Sequence, residues 1–407
     1  MKIVKKLLLG ISLLLFANSV LLAQNDEPTY EGQQARLGIN TINSAVPFLT
    51  LSPDARSGSM GDLGVATTPD INSMHWNPAK YAFMDGVAGF SLNYTPWMRK
   101  IVSDINLINA VGYYKINDVS AVAASINYFS LGEVIFRKDA DDPGNIVRPN
   151  EFSIDGTYAR KFSEKISAAV ATRFIYSNLT QGHVEGSKAG MAVAADISMY
   201  YTEPISIGRM DADIAVGVNI SNIGSKLSYD VNKNQKEFIP TTFRVGPALN
   251  MHLDDYNSLL ISAELSKLLV PTSPIRDAEG NVLYGKDDDI SSILGLFRSF
   301  YDAPGFTINE ETGDTIKIGK FREELQELML SVGGEYWYNE TFAVRAGYFF
   351  ENPRKGDRQF ITLGAGLKYN LFGIDLSYLI SLGQRNPLQN TLRFSLSFNF
   401  DYDNRRR

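Results

Sequence analysis

Few residues in this chain could assemble an active centre. There are three histidines, His75, His183 and His252, and no cysteine. Zinc needs several nitrogen or sulfur ligands in one place, so a three-histidine cluster would require widely separated segments to converge. Ser187 lies close to His183, and a serine beside a histidine base with an acidic partner could attack an ester or amide. Asp139, Asp141 and Asp142 near Gly144 offer hard oxygen ligands of the kind calcium prefers. Pro143 takes the place of a ligand there, however, and the later bidentate glutamate is out of register. The run Gly280-Asn281-Val282-Leu283-Tyr284-Gly285-Lys286-Asp287 matches the start of a phosphate-binding loop, with Asp287 standing where a magnesium-holding Ser or Thr belongs. It lacks the strand before and the helix after that such a loop needs. No metal, cofactor or catalytic residue is expected.

The elements carrying these residues begin with a secretory signal. Lys2, Lys5 and Lys6 precede an apolar run from Leu7 to Phe16, and Ala23 offers a small residue for cleavage before Gln24. Residues 1–23 are therefore read as a signal peptide. With no cysteine after it, lipid attachment and disulfides are excluded. Without the three signal lysines the formal charge moves from −6 to −9, which argues against nucleic acid as a partner.

Strand periodicity dominates the remainder. In Thr391 to Phe400, Leu392, Phe394, Leu396, Phe398 and Phe400 share one face, and Arg393, Ser395, Ser397 and Asn399 the other. Ile214, Val216, Val218 and Ile220 alternate with Asp213 and Asn219 in the same way. Similar segments near 87–97, 105–115, 119–130, 151–161, 165–178, 189–201, 210–222, 238–250, 257–267, 328–338, 341–350, 358–369, 371–381 and 388–400 predict about fourteen antiparallel strands of an all-β transmembrane barrel. Arg173, Asp196, Arg244, Glu264, Glu335, Arg345, Lys368, Asp375 and Arg393 all sit in the phase opposite the apolar one. An arginine or lysine facing lipid at the midplane costs about 2–4 kcal/mol, so this segregation predicts a charge-paired lumen. Short turns, with a longer one at 202–209, alternate with longer loops, and an even strand count puts both termini in the periplasm. Aromatic runs at Tyr200-Tyr201, Tyr336-Trp337-Tyr338 and Tyr348-Phe349-Phe350, with Tyr402, are read as interfacial girdles. The barrel thus occupies 87–400, followed by a periplasmic tail, 401–407, that ends in three arginines.

Residues 24–86 precede the first strand and are too irregular to be strands. Gly58, Gly61 and Gly64 permit close backbone approach, and Pro78 holds Asn77 out of helical geometry. A plug in the lumen would use both. Asn77-Pro78-Ala79 in a hatch ahead of fourteen strands resembles the FadL family of outer-membrane transporters. The longer run Phe48-Leu49-Thr50-Leu51-Ser52-Pro53-Asp54-Ala55-Arg56-Ser57-Gly58-Ser59-Met60-Gly61, with His75-Trp76-Asn77-Pro78-Ala79-Lys80, resembles more closely the PorV (LptO) family of the Bacteroidetes type IX secretion system. That resemblance implies a secretion accessory in the outer membrane, in contact with its lipids. Such a protein collects cargo with a conserved C-terminal signal domain from the SprA translocon and passes it to the PorU-containing attachment complex. It leaves two alternatives: FadL-like transport of long-chain hydrophobic compounds, and lipid A deacylation through His183 and Ser187.

Partner contact would fall on the loop 268–327, expected outside the cell. After Asp287-Asp288-Asp289, the residues Ile290, Ile293, Leu294, Leu296, Phe297, Phe300 and Tyr301 are spaced as a short amphipathic helix with acids at its positive end. A second helix is expected from Lys320 to Met329. The apolar face either meets a translocon or cargo or packs down over the barrel mouth.

Overall fold

A computed structural model of the chain describes residues 41–99, 102, 104–137, 141–232, 236–276, 281–308, 315–383 and 388–400. The expected signal peptide, Asp139, Gly280, Tyr402 and the arginine tail lie outside them. Of two compact units, 39–307 with 317–407 contains the barrel, and 1–38 with 308–316 contributes only Ile308, Thr315 and Ile316 to the described residues.

Fourteen antiparallel strands close into a barrel. They are β1 (Ala88–Pro96), β2 (Ile105–Asn117), β3 (Ser120–Leu131), β4 (Asn150–Lys161), β5 (Ile166–Asn178), β6 (Gly190–Ile207), β7 (Met210–Gly224), β8 (Thr242–His252), β9 (Asn257–Leu268), β10 (Met329–Tyr338), β11 (Phe342–Phe350), β12 (Gln359–Tyr369), β13 (Phe372–Ser381) and β14 (Leu392–Phe400). Each pairs with the next, and β14 returns to β1 from Ala88↔Phe400 to Tyr94↔Phe394. Closure leaves the sheet no open edge, a requirement of hydrocarbon surroundings. No helix among the described residues is long and apolar enough to cross a membrane.

The two faces of the wall follow the sequence pattern. Along β14, Leu392, Phe394 and Leu396 are exposed on the outside, while Arg393 and Ser395 are buried inside. The aromatic runs obey the same alternation, which corrects the girdle reading at three positions. Tyr200 and Phe349 point inward and are buried, Tyr200 against Phe83 and Phe349 stacked on Phe360, and Trp337 also points inward, beneath the Arg345 guanidinium. Successive strand residues face opposite sides, so only alternate members of an aromatic run can reach lipid. A second correction concerns the expected long turn at 202–209. There β6 continues to Ile207 and pairs with β7 through Ile207↔Met210, leaving a tight turn at Gly208-Arg209.

Inside lies the hatch, four short helical pieces joined by irregular chain. A 3₁₀ turn (Pro47–Thr50) is followed by α1 (Ala55–Gly58), α2 (Ser73–Trp76) and a second 3₁₀ turn (Pro78–Phe83). Met60, Leu63, Val65, Met74 and Tyr81 pack against a wall of alanines that includes Ala121, Ala159, Ala169, Ala215 and Ala248. Small wall side chains leave room for the plug.

Over the end of the barrel carrying the longer loops, the chain between β9 and β10 forms α3 (Ser292–Arg298) and α4 (Lys320–Gln326). Ser291 caps α3 by accepting from the Leu294 amide, and no acid lies in its first turn. The aspartates at 287–289 therefore do not form the expected acidic first turn. The second helix ends three residues early, because Met329 already begins β10.

Candidate functional site: a locked lumen beneath an apolar cap

The hatch is fixed to the wall first by its Asn-Pro-Ala motif. Asn77 is fully buried, donates to the carbonyls of Val65 (2.8 Å) and Met199 (3.0 Å), and accepts from the Ala79 amide. Its dihedrals, φ −161° and ψ 93°, are the extended geometry that Pro78 imposes. Ala79 receives a bond from Ser167 of β5 and donates to Ser198 of β6, while Asn219 of β7 donates to the Trp76 carbonyl. The motif thus closes one corner of the hatch against three strands.

Glycine closes the opposite corner. Gly61 has φ +79° and lies against the Tyr348 backbone, and a Cβ on Gly347 would stand 2.0 Å from the Met60 carbonyl carbon. Hatch and wall backbones touch there with no side chain between. Gly58 sits under Arg393, which accepts no substitute for that space: a Cβ would fall 2.6 Å from its guanidinium.

Charges complete the attachment. Arg56 of α1 donates to both oxygens of Glu335, at 2.9 and 2.6 Å, and at 2.8 Å to Asp70. Arg345 donates to the same Glu335 (2.5 Å) and to Asp375 (2.6 Å). The result is an unbroken line of alternating charge, Asp70–Arg56–Glu335–Arg345–Asp375, from hatch to wall. On the far side Arg173 bridges Asp155 and Asp196, and Glu264 accepts from the amides of Gly64 (2.8 Å) and Val65 (2.9 Å) while pairing with Arg244 at 3.5 Å. Arg393 reaches the Gly58 carbonyl and Asp62, both at 3.1 Å. Eight of the nine expected lumen charges therefore lie in these networks. Lys368 does not; it is exposed near the turn end of the barrel. The sequence reading missed Arg56, Asp70 and Asp155, and it also missed buried Lys80, which donates to the Gly64 carbonyl (2.9 Å) and to Thr67 (3.0 Å). Burial pushes the Lys80 ammonium down to about 8 against the pull of Asp70.

Two cavities flank the hatch. One of about 240 Å³ lies toward the short turns, beside Arg56, Asp70, Lys368 and Asp375. The other, about 70 Å³, lies toward the loops, beside Trp76, Arg244, Phe360 and Arg393. They share no lining residue.

The cap differs in kind. Ile293, Leu294, Phe297 and Phe300 are exposed, Phe297 at 62%, whereas Leu296 is half-buried. The helix rests on its small residue: Gly295 is buried against Phe238 and Pro271. Its apolar stripe is consequently divided, most of it facing outward.

The enzymatic candidates do not converge. The Ser187 hydroxyl pairs with Thr180 (2.7 Å) and donates to the Val184 carbonyl (2.6 Å). His75 is half-buried with its inaccessible Nε2 unpartnered, edge-on to Trp76, and His252 pairs with Asp213 at 2.9 Å. Asp142 caps the Gly144 amide, and among the described residues no group of three or more His, Asp or Glu is arranged to hold a metal. Lys286 of the phosphate-loop look-alike lies over the Tyr301 ring at 3.7 Å.

A family model described as type IX secretion system protein PorV matches residues 33–275, more than half of the chain and all of the described hatch. The chain belongs to the PorV family. It is thus an outer-membrane β-barrel of type IX secretion. Among solved structures it is similar to the toluene transporter TbuX of Ralstonia pickettii, at 11% identity and TM-score 0.45 over 86% of this chain and 98% of that one. It is also similar to the toluene transporter TodX of Pseudomonas putida, at 10% and 0.47 over 90% and 100%. A FadL homologue of Pseudomonas aeruginosa aligns at 12% and 0.41 over 86% and 99%. Compared with curated proteins, the chain has no significant match.

Proposed function

We propose that this PorV-family barrel is a carrier in type IX secretion. It binds cargo through the cargo's C-terminal signal domain at the SprA translocon and delivers it to the PorU-containing attachment complex. Both termini lie in the periplasm in this reading, and the cap carrying α3 faces the cell exterior. The observation that carries it is the pairing of a locked lumen with an exposed apolar cap: the interior is filled and charge-paired, so the surface left for a partner is outside. Ile293, Leu294, Phe297 and Phe300 are the gripping residues. Transport of long-chain hydrophobic compounds is less well supported, because ligand pockets for molecules of drug size run to roughly 300–1,000 Å³ and the cavity toward the loops holds about 70 Å³.

Affinity capture from mildly solubilised outer membranes tests the reading. Co-elution of the translocon, or of secreted proteins bearing the signal domain, is the expected result. Capture of neither, with a fatty-acid uptake defect in the deletion strain, would replace the carrier with a transporter. Loss of lipid A deacylation in both a deletion and a His183→Ala strain would replace it with an enzyme.

A further inference from the structure

The loop bearing α3 is tied to the barrel by a second ionic cluster, separate from the hatch. Lys267 at the end of β9 bonds Glu324 (3.1 Å) and Glu327. Lys355, in the connection from β11 to β12, bonds Glu323 and Glu327, both at 2.9 Å. Thr272 donates to Glu327 at 2.7 Å. The amides of Ala303 and Gly305, just after α3, donate to Glu324 (2.9 Å) and Glu323 (2.7 Å). Four chain segments therefore meet at three glutamates and two lysines.

A fourth carboxyl is present without a matching cation. Asp302 is 2% exposed, and its Oδ1 has no hydrogen-bond partner. Facing it are Glu324 and Glu327 from the α4 side and Lys267 from β9, with the Thr272 backbone donating to it. Glu323 and Lys355 complete the cluster around these groups. An ionised Asp302 would be a buried anion among anions whose lysines are already engaged.

We propose that this cluster is a proton-operated latch, which holds the α3 segment down on the barrel mouth while Asp302 is protonated and lets it lift when Asp302 ionises. Burial, and then Glu324 and Glu327, push the Asp302 carboxyl up from 3.8 to about 7. In the lifted state, exposed to water, it returns toward its ordinary value. The latched state therefore keeps a proton that the lifted state has lost between about pH 4 and pH 7, and latching weakens as pH rises through that window. Above it the effect of Asp302 is constant. Glu327 acts in the opposite sense. Its carboxyl is lowered, with Lys355 and then Lys267 overcoming the effect of burial, so its contribution fades only below its ordinary 4.5. The latch is tightest near pH 4, where in the latched state Asp302 is still protonated and Glu327 is still ionised. This device concerns the cap itself and stands whatever the cap docks against.

The chain has no cysteine, so two introduced thiols are the only labelling sites. Spin labels at Arg298→Cys in α3 and Val184→Cys on the loop between β5 and β6, in the full-length barrel in lipid, report their separation by pulsed electron resonance. A single narrow distance distribution is expected at pH 5. A longer component should grow roughly tenfold or more by pH 7.5 and change little beyond pH 8. Asp302→Asn should keep the pH 5 distribution at pH 7.5. Glu324→Gln, which removes one facing anion, should move the transition to lower pH. Overturning results are a wild-type separation independent of pH, an Asp302→Asn barrel that retains the wild-type response, or a transition that Glu324→Gln leaves in place or moves to higher pH. Heat-modifiable gel mobility confirms that each variant is folded, and the wild-type titration is decisive on its own.

Discussion

Two regions of this barrel are built from the same residue types to different ends. In the hatch, Glu335 is shared by Arg56 and Arg345, the line of charge ends on carboxylates at both sides, and backbone contact at Gly347 leaves no slack. In the latch beneath α4, four carboxyls face two lysines and one carboxyl oxygen is unpartnered. A buried ionic network in which every carboxylate pairs with an arginine, inside an enclosing wall, is a permanent fastening. One that includes a buried carboxyl with an unpartnered oxygen, as at Asp302, is fastened only while that carboxyl holds a proton.

The sharpest way to break this contrast is to remove Glu335. Glu335→Ala leaves Arg56 and Arg345 buried without their common acceptor, and the folded barrel should lose about 3–5 kcal/mol. Urea unfolding in detergent, with protease sensitivity of the hatch, measures it; a loss below about 1 kcal/mol would mean that the line of charge is not what holds the plug. At the cap the opposite is expected. Ile293→Ser with Phe297→Ser alters exposed residues only, so stability should stay within about 0.5 kcal/mol while co-purification of translocon or cargo falls severalfold. Undiminished co-purification would move the grip elsewhere.

The smallest effect separates the two regions by the direction of their pH response. Lys80 in the hatch has a folded-state value near 8, below its ordinary 10.5. The folded state therefore binds fewer protons than the unfolded chain between those values, and hatch stability should rise with pH across that window. Thermal unfolding at pH 7.5 and pH 10, compared with Lys80→Met, checks it: the variant should lack the part of the rise due to this amine. A difference of opposite sign would show that Lys80 stays charged in a site that favours the ammonium.

Much of the barrel was legible before any coordinates, for a reason specific to membranes. Lipid on one side and a polar lumen on the other force apolar and polar residues into strict alternation, so Arg393 and Phe394 declare opposite faces by type alone. Some partners were legible as well. Glu335 and Arg345 are equidistant from the turn at Glu340, as Asp155 and Arg173 are from Glu164, and hairpin register pairs them directly. Arg56 with Glu335, and Lys355 with Glu323, could not be read this way. No local rule links a hatch residue to a strand far along the chain, or a loop helix to the turn that closes beneath it. The girdle reading failed at Tyr200, Trp337 and Phe349 because residue type was followed where side-chain phase decided.

The alternation of the wall also gives each strand something like a reading frame. Deleting one residue between a turn and Arg393 would carry that guanidinium into lipid and swing Phe394 against the hatch, whereas deleting two would restore the phase. Changes in chain length during the divergence of related barrels are therefore expected in even steps within strands and in any step within the loops. A comparison of strand lengths among family members tests this, and frequent single-residue gaps inside strands would refute it.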